Sequence, residues 1–394
     1  MTLRHIISIN DLSREEVEAL FGLADRYLET LGDRQIPYRI AASASECSGA
    51  VMATLFYEPS TRTRLSFESA MLRVGGSAIS SASPATSSAV KGETLADTIR
   101  IVSGYADLIV LRHPRDGAAR LAAQYTSVPV INGGDGAREH PTQTLCDLYT
   151  LKRELHRLEG LNVAVLGDLQ GGRTVHSLVY ALARFGANIL TMPAPGMELP
   201  AHVASRLREE FRYTMRSAAA LPELSQLVSG IYAPRTAKPF ASPAKIDVLY
   251  ITRFQKERWK GGGVNYPRVN AEFLKAPAFA DTLLMHPLPR TDELDPGFDV
   301  QDRAVYFRQA SYGVPIRMAI ITLLLNSGRK HSAQLLEDGL LQSQRAELDS
   351  GRMCSNENCI TRFEESSTFG SLHAAGDAPH RLHCAYCDYK LIGI

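Results

Sequence analysis

The run Ser60-Thr61-Arg62-Thr63-Arg64 is well suited to binding an anion. It follows the apolar segment VMATLFY and opens a segment with the composition of a helix. A helix N-terminus presents amide groups and a partial positive charge, and hydroxyl and guanidinium groups add donors for phosphate oxygens. The run therefore predicts a phosphate site, with a simple helix cap and solvated arginines as the alternative.

Three further polar residues of the first half stand where strands and loops give way to helices. Arg112 ends the apolar run DLIVLR, while His140 and Gln143 begin a helix-like segment after a glycine-rich loop. Ligands collect at the carboxyl ends of strands in open α/β sheets, so these side chains are candidates for ligand contacts. Taken alone, Arg112 is more often a surface charge, and a capping role explains His140 equally well.

The second half has a comparable set of polar residues. Arg173 follows GDLQGG, and Arg253 and Gln255 follow the strand-like segment IDVLYIT. An arginine can bind a carboxylate through two parallel hydrogen bonds, so the pair could clamp a dicarboxylate. Two unrelated surface arginines explain the spacing equally well. GDLQGGR lacks the G-x-G-x-x-G spacing, which disfavours a dinucleotide site.

The run His286-Pro287-Leu288-Pro289 ends another buried strand. Proline restricts the backbone, so the run could hold carbonyl oxygens rigidly toward a ligand. In isolation, a plain strand exit is the simpler interpretation.

Four of the six cysteines form two pairs near the C-terminus, Cys354-x4-Cys359 and Cys384-x2-Cys387. Four thiolates complete the tetrahedral coordination of Zn²⁺ and leave no position for water, which is typical of a structural site. Iron takes the same ligands, but a small four-cysteine module favours zinc. The motif predicts structural Zn²⁺, and no motif predicts an organic cofactor.

The composition is that of a globular protein with two or three domains, since 45% of 394 residues are hydrophobic and 22% charged. Lys and Arg total 43 against 42 Asp and Glu, so the charge balance predicts no nucleic-acid partner. No apolar run approaches the ~20 residues that span a bilayer, and the N-terminal segment does not resemble a signal peptide. We therefore expect a cytoplasmic protein with no membrane partner.

Alternating strands and helices are expected to position these candidate residues. The strand-like segments VMATLFY, DLIVLR and VPVING lie in the first half, and LNVAVLGD, ANILTMPA, IDVLYIT and DTLLMHP lie in the second. Strands that alternate with helices predict an α/β fold with two doubly wound parallel-sheet domains. A small, β-rich four-cysteine module completes the predicted fold.

The predicted domains cover residues 1–150 and 151–326, followed by a linking helix over 327–350 and the zinc module over 351–394. A helix around 311–326 is expected to pack back on the first domain. We also expect a first helix capped at Asn10 or Asp11 and a flexible loop over SAISSASPATSSAVKGET.

Together, the motifs resemble the aspartate and ornithine carbamoyltransferase family over nearly all of residues 1–326. FYEPSTRTRLSFE is similar to that family's carbamoyl phosphate loop, and HPTQTLCDL, GDLQGGRTVHSL and TRFQKER follow in the family's order. VKGETLADT with Lys91, HPLP with Pro287, and TRFQKER favour aspartate over ornithine as the acceptor.

The resemblance implies carbamoyl transfer from carbamoyl phosphate to L-aspartate, which gives N-carbamoyl-L-aspartate and phosphate in the second step of pyrimidine biosynthesis. A non-catalytic scaffold subunit of the same fold and transfer to another amino acid are the alternatives.

The resemblance also implies a role for each candidate residue. The expected contacts to carbamoyl phosphate are Ser60, Thr61, Arg62, Thr63, Ser87, Lys91, Arg112, His140, Gln143, Pro287 and Leu288. The expected contacts to aspartate are Lys91, Arg173, Arg253 and Gln255. The residues expected to take part in catalysis are Arg62, Thr63, Lys91, Arg112 and His140. Glu58 and Arg258 are expected to link the two domains. Ser87 and Lys91 would enter the site of a neighbouring subunit, which implies a homotrimer with shared active sites; pairing of trimers stays open.

The tail resembles the zinc domain of the regulatory chain that partners catalytic chains in this family. CSNENC and LHCAYC are similar to the two cysteine pairs of that domain. The regulatory chain also has a nucleotide-binding domain, for which residues 327–394 leave no room. We therefore predict no nucleotide effector site in this polypeptide, while a separate nucleotide-binding chain stays open as a partner.

Overall fold

Two parallel β-sheets organise the chain, one in each of two units. The computed structural model describes residues 5–32, 45–81, 88–219, 245–256, 266–338, 354–364, 372–374, 382–384 and 386–389. The first unit comprises Met1–Thr142 with Val314–Ile394, and the second comprises Gln143–Gly313. The boundaries expected from the sequence stay predictions.

The first unit is built on a four-stranded parallel sheet with the strand order β2-β1-β3-β4. Its strands are β1 (Val51–Phe56), β2 (Ser77–Ser81), β3 (Leu108–His113) and β4 (Val130–Asp135). The prediction that residues 77–81 belong to a flexible loop is wrong. This serine-rich segment lies at the sheet edge, where its residues are exposed or partly exposed, so pairing with β1 makes it a strand without an apolar pattern.

The helices of the first unit include α1 (Arg14–Leu31), α2 (Thr61–Arg73), α3 (Leu95–Val102) and α4 (Ala118–Gln124). The predicted cap of α1 at Asn10 or Asp11 is wrong. Ser13 caps the helix, because its hydroxyl accepts from the Glu16 amide while the Glu16 carboxylate accepts from the Ser13 amide. This reciprocal pair satisfies two amides at once, which a cap at Asn10 would not.

The second unit has a five-stranded parallel sheet with the order β7-β6-β5-β8-β9. Its strands are β5 (Asn162–Gly167), β6 (Asn188–Pro193), β7 (Arg216–Ser217), β8 (Val248–Ile251) and β9 (Leu283–Met285). Its helices include α5 (Pro141–Leu155), which begins just before the unit, α6 (Arg173–Arg184) and α7 (Ala201–Glu210). The central strands are wholly buried, as their apolar runs predict.

The last long helix, α8 (Tyr306–Asp338), runs without a break from the end of the second unit into the first. It includes the predicted helix around 311–326 and continues into the predicted linking segment, of which residues 339–350 lie outside the described residues. Within the first unit, its Thr322 hydroxyl lies 2.8 Å from the Tyr27 hydroxyl of α1. No helix among the described residues has the length and apolarity needed to cross a bilayer.

The cysteine-rich tail forms a short antiparallel pair, β10 (Leu372–Ala374) and β11 (Leu382–Cys384). We call the described residues between Cys354 and Tyr389 the metal module. The module belongs to the first unit, where its buried residues share one core cluster with α3 and α4. The predicted fold class, two parallel α/β domains with a small β-containing cysteine module, is confirmed.

Candidate active site and metal centre

The Ser60–Thr63 run lies at the carboxyl end of β1 and forms the first turn of α2. Ser60 occupies the N-cap position, but its hydroxyl donates to Thr63 Oγ1 at 3.0 Å and makes no capping hydrogen bond to a backbone amide. The serine is therefore not a simple cap. The first amides of α2, the adjacent hydroxyls and the exposed Arg62 are donors that could bind an anion here.

Arg112 lies near the end of β3, in register with Phe56 of the neighbouring strand β1. Its Nη1 donates to the Gly133 carbonyl at 3.1 Å, and its Nε lies 3.6 Å from Glu58 Oε2. The residue is 9% exposed, so these contacts hold a largely desolvated guanidinium in one orientation. In the strand order β2-β1-β3-β4, β2 lies on one side of β1 and β3 on the other, so the order reverses between β1 and β3. Open α/β sheets bind ligands at such a reversal.

His140 follows β4 and directly precedes α5. It is buried, and its Nδ1 lies 3.4 Å from Thr142 Oγ1. The Asp135 amide donates to the Glu139 carbonyl at 3.3 Å, which folds the intervening loop back on itself. Since β1, β3 and β4 are neighbours in a parallel sheet, their carboxyl ends bring Ser60–Thr63, Arg112 and His140 to one edge.

Two candidates from the loop before α3 are not brought to this edge by any described contact. Lys91 ends an exposed 3-10 turn, and Ser87 lies outside the described residues. Arg258 also lies outside them. The predicted roles of Lys91 and Ser87 in a neighbouring subunit, and of Glu58 and Arg258 between domains, therefore stay predictions.

In the second unit, the loops after the neighbouring strands β5 and β8 are hydrogen-bonded to each other. Gln255 Nε2 donates to the Gly171 carbonyl at 2.8 Å, and the Gln255 amide donates to Asp168 Oδ2 at 3.3 Å. Arg173 begins α6 just beyond Gly171, and Arg253 precedes Gln255 by two residues. The two arginines therefore belong to one joined pair of loops, at the point where the strand order reverses between β5 and β8.

Tyr266 is a residue of this loop pair that the sequence did not reveal. Its hydroxyl accepts from the Asp168 amide at 2.7 Å and donates to the Thr252 carbonyl at 2.7 Å. Burial raises the pKa of this phenol, so it stays protonated and keeps its donor. The hydroxyl lies close to the backbone of Gly167, where an added Cβ would meet it at 2.2 Å, and no local sequence pattern indicates this contact.

The HPLP run follows β9, the neighbour of β8. Leu288 has φ 54°, and the Leu288–Pro289 peptide is cis. The Leu288 amide donates to His286 Nδ1 at 2.8 Å, while His286 Nε2 lies 2.9 Å from Glu293 Oε1. The sequence indicated the backbone of this run as a candidate but not the buried His286–Glu293 pair.

The four tail cysteines converge on one point. Their Sγ atoms all lie within 4.8 Å of one another, with 3.5 Å between Cys354 and Cys387 and 3.7 Å between Cys359 and Cys384. Sulfurs bound to a tetrahedral ion at ~2.3 Å are separated by about 3.8 Å. All four side chains are buried, so the set fits one closed four-sulfur metal site.

The metal module contacts the loops that follow β3 and β4. Asp116, after β3, accepts through Oδ2 from Asn356 Nδ2 at 2.9 Å and through Oδ1 from the Ala137 amide at 2.8 Å. The Asp116 amide donates to the Asn358 carbonyl at 3.1 Å, and its carbonyl accepts from the Ile360 amide at 2.9 Å. One carboxylate therefore joins the module to the loop that leads to His140.

Charged contacts extend this interface. Asp388 of the module accepts from Arg120 Nη1 at 2.6 Å and also pairs with the buried Arg138. Burial opposes the charge of Arg138, but the carboxylates of Asp388, Glu139 and Asp135 more than offset it and raise its pKa. Glu364 accepts from the Leu95 amide at 2.9 Å, at the start of α3 and a few residues after Lys91.

We expect Gly117→Ala to weaken this interface. Gly117 has φ 85°, and an added Cβ would lie 2.7 Å from the backbone carbon and oxygen of Tyr386. Gly49 is the matched control, because it has φ 78° but an added Cβ there meets nothing within 4 Å. Both variants incur left-handed strain, and Gly117→Ala should cost about 1–3 kcal/mol more in free energy of unfolding through overpacking. Equal losses of unfolding free energy in urea titrations of the two variants would show that the contact with Tyr386 does not require glycine at position 117.

The chain matches models of known domains over nearly its whole length. A model of the aspartate/ornithine carbamoyltransferase carbamoyl-P binding domain matches residues 4–153, and one of the family's Asp/Orn binding domain matches residues 159–324. A model of the aspartate carbamoyltransferase regulatory chain metal binding domain matches residues 352–392.

Individual relatives agree with the domain matches. The aspartate carbamoyltransferase catalytic subunits of Methanothrix thermoacetophila and Archaeoglobus fulgidus are each 45% identical, over 82% and 81% of this chain and 98% of each relative. The solved catalytic subunit of M. jannaschii aspartate transcarbamoylase is 40% identical, with a TM-score of 0.68 over 83% of this chain and 99% of that one. Trypanosoma cruzi aspartate transcarbamoylase in complex with carbamoyl phosphate and aspartate is 34% identical, with a TM-score of 0.66 over 81% and 95%.

The two parallel sheets with polar strand ends and the four-cysteine extension define a carbamoyltransferase-fold enzyme with a metal-binding module. The chain belongs to the aspartate/ornithine carbamoyltransferase family, as its motifs predicted.

Proposed function

We propose that this chain transfers the carbamoyl group of carbamoyl phosphate to the amino group of L-aspartate, which is the second step of pyrimidine biosynthesis. The observation that carries the proposal is the convergence of Ser60–Thr63, Arg112 and His140 at the ends of three neighbouring strands. This set offers hydroxyl, amide and guanidinium donors to one doubly charged phosphate and one developing oxyanion.

The first unit binds and activates carbamoyl phosphate. Ser60, Thr61, Arg62 and Thr63 hold the phosphate group at the start of α2. Arg112, His140 and Thr63 contact the carbamoyl oxygen and stabilise the charge that it gains in the tetrahedral transition state. Each donor of this type contributes about 3–4 kcal/mol where it has been measured, because it is already oriented when the charge develops.

The second unit binds aspartate and completes the contacts to the carbamoyl group. Arg173, Arg253 and Gln255 bind the aspartate carboxylates. Gln143 and the backbone carbonyls of Pro287 and Leu288 contact the carbamoyl amide. The aspartate nitrogen attacks the carbamoyl carbon, the bond from that carbon to the phosphate oxygen breaks, and the departing phosphate accepts the proton from nitrogen.

The subunits assemble as a homotrimer in which Ser87 and Lys91 serve a neighbouring site. Exposed apolar side chains on α2 and the edge strand β2 support this part of the proposal: Leu65 is 52% exposed, Leu72 60% and Ile79 44%. Ser87 and Lys91 follow β2 closely in the sequence.

The four-cysteine site binds Zn²⁺ in a structural role, since four sulfur ligands close its coordination and leave no position for substrate. Metal-binding thiols must stay reduced, which suits the cytoplasm. The absence of a built-in nucleotide effector site stays a prediction from the sequence, and a separate nucleotide-binding chain stays open as a partner.

The test is turnover by the purified full-length chain with carbamoyl phosphate and either L-aspartate or L-ornithine. We expect carbamoyl aspartate at a saturable rate, no product from ornithine, and sedimentation of the same preparation as a trimer. Product from ornithine, or no product from either acceptor by folded and metal-loaded protein, would contradict the proposal.

Arg253→Met is the control that ties this turnover to the assigned residues. A hydrogen bond to a charged group contributes about 1.5–3 kcal/mol. Its loss should therefore raise KM for aspartate by about 10- to 100-fold and leave KM for carbamoyl phosphate nearly unchanged. Arg268→Met removes an exposed arginine of the same unit and should change neither constant.

A further inference from the structure

The buried pair His286–Glu293 has no part in the substrate contacts assigned above. The two side chains are 0% and 1% exposed, and His286 Nε2 lies 2.9 Å from Glu293 Oε1. Burying an ionisable pair is costly unless each partner is fully hydrogen-bonded. The contacts of both residues lead back to the HPLP run.

The hydrogen bonds assign one tautomer to His286. Its Nδ1 accepts from the Leu288 amide at 2.8 Å, so the ring proton lies on Nε2 and is donated to Glu293. Burial alone would raise the pKa of Glu293, but hydrogen bonds from His286 and Thr291 lower it to about 2. Glu293 is therefore ionised at neutral pH and favours the tautomer that leaves Nδ1 free to accept from Leu288.

Leu288 needs this acceptor because its backbone is strained. A φ of 54° places a leucine in the left-handed region, which β-carbon contacts disfavour. The hydrogen bond to His286 Nδ1 holds the Leu288 amide in that conformation. Strain of this kind persists only where surrounding contacts fix it, and it is common at substrate-binding positions.

Both ends of the loop are anchored. The His286 amide donates to Gln309 Oε1 at 3.0 Å, and Gln309 Nε2 donates to Asp147 Oδ1 at 2.7 Å. At the other end, the Thr291 amide and hydroxyl donate to the Glu293 carboxylate at 2.9 Å and 2.7 Å. The segment from His286 to Glu293 therefore closes on itself through one carboxylate and one imidazole.

We propose that Glu293, acting through His286, is a positioning residue that holds the Pro287–Leu288 backbone in the conformation that binds the carbamoyl group. The inference rests on the proposed function, which assigns the carbonyls of Pro287 and Leu288 to the substrate. Neither Glu293 nor His286 touches a reacting atom in this account. Their effect is transmitted through the Leu288 amide.

Two pairs of variants test the proposal. In Glu293→Gln, a neutral amide replaces the ionised carboxylate, so the charge that favours the Nε2–H tautomer of His286 is lost and one of the two acceptor oxygens becomes a donor that faces the Thr291 hydroxyl. We expect kcat to fall and KM for carbamoyl phosphate to rise, with kcat/KM down about 100-fold, since small misplacements of binding groups cost this much. KM for aspartate should stay within about twofold of the wild-type value, because Arg253 and Gln255 are not part of this loop.

His286→Asn and His286→Leu separate the effect of the hydrogen bond to Leu288 from the effect of side-chain volume. Asparagine Oδ1 lies where Nδ1 lies in histidine and can accept from the Leu288 amide, whereas leucine cannot. Histidine-selective ¹⁵N NMR of the wild type should show the Nε2–H tautomer for His286. The asparagine variant should keep at least about tenfold more kcat/KM than the leucine variant.

Thr282→Val controls for simple loss of a buried hydrogen bond. Thr282 is wholly buried at the other end of β9, where its hydroxyl donates to the Ile246 carbonyl at 2.7 Å. This variant should lose stability but keep wild-type kinetics. If Glu293→Gln has the same kinetics as Thr282→Val while the wild type makes carbamoyl aspartate, the positioning role is wrong and the proposed function stands. If the wild type makes no product, the proposed function is wrong and the positioning role falls with it.

Discussion

Arg112→Met is expected to lower kcat by about 10²- to 10³-fold without unfolding the chain. The guanidinium lies at the end of β3, held by the Gly133 carbonyl and near Glu58, and is assigned to the oxygen that gains charge in the transition state. Removing one such preoriented donor costs about 3–4 kcal/mol of transition-state stabilisation. Methionine fills much of the same volume, so the sheet edge should keep its packing.

Steady-state kinetics with both substrates and thermal unfolding of the same protein check this prediction. Glu58 loses its contact with Arg112 in the variant, but it is 23% exposed and can be solvated, so the loss of stability should be small. Arg100→Met is the control: it removes a surface pair with Asp97, in which both side chains are more than half exposed, and should leave kcat unchanged. A folded Arg112→Met chain with kcat within a few-fold of the wild-type value would remove Arg112 from the catalytic set.

Removing the metal is expected to destabilise the first unit and to lower turnover. The four cysteines come from two segments of the tail, and the β10–β11 pair has only three residues in each strand. Structural Zn²⁺ contributes about 10–16 kcal/mol of folding free energy in small zinc-binding domains, and nothing of similar size replaces it here. Without the ion, the two cysteine pairs would no longer be held together.

Loss of the metal module would remove hydrogen bonds that hold the loops beside the candidate active site. Asp116 would lose its hydrogen bonds from Asn356 and Asn358. The same carboxylate accepts from the Ala137 amide, in the loop before His140, and would hold that loop less firmly. Arg138 would keep its burial but lose Asp388. Hydrogen bonds to charged groups contribute about 1.5–3 kcal/mol each, and each kcal/mol shifts Tm by about 2–4 °C in a domain of this size. A fall in Tm of about 10 °C is therefore expected.

The experiment releases the ion with a mercurial in the presence of a chelating dye, then restores thiols and metal. We expect one zinc per chain, a joint fall of Tm and kcat on release, and recovery of both on reloading. Cys359→Ser should reproduce the loss, whereas Cys146→Ser, which alters a buried cysteine of α5 outside the metal site, should not. An ion-free chain with unchanged Tm and kcat would show that the module does not support the first unit.

Local patterns in the sequence predicted the parts of this protein that depend on local chemistry. The apolar runs predicted the central strands, because a strand buried on both faces needs apolar side chains throughout. The Ser60–Arg64 run predicted a hydroxyl-rich helix start, and two cysteine pairs predicted a four-sulfur metal site. In each case the residues that make the feature are neighbours in the sequence or belong to a motif with few other uses.

The sequence patterns did not predict the cap of α1 or the strand β2, although the residues that form them are local in the sequence. Ser13 and Glu16 form a reciprocal capping pair, while Asn10 and Asp11 looked equally suitable by residue type. The serine-rich segment at 77–81 has no strand pattern of its own, and its extended form comes from hydrogen bonds to β1. Competition between equally good local signals, and pairing with a distant strand, both depend on structure outside the segment.

The tertiary structure alone decided how the candidate residues are held. Arg112 is oriented by a carbonyl of the next strand, Gln255 by the loop after β5, and the backbone of Leu288 by a buried histidine. The metal module contacts its own chain through Asp116, more than two hundred positions earlier in the sequence. The sequence by itself determined which chemical groups are present and where the buried central strands lie. Their orientation depended on hydrogen bonds between residues far apart in the chain, which form only when packing excludes water and brings each donor to its acceptor.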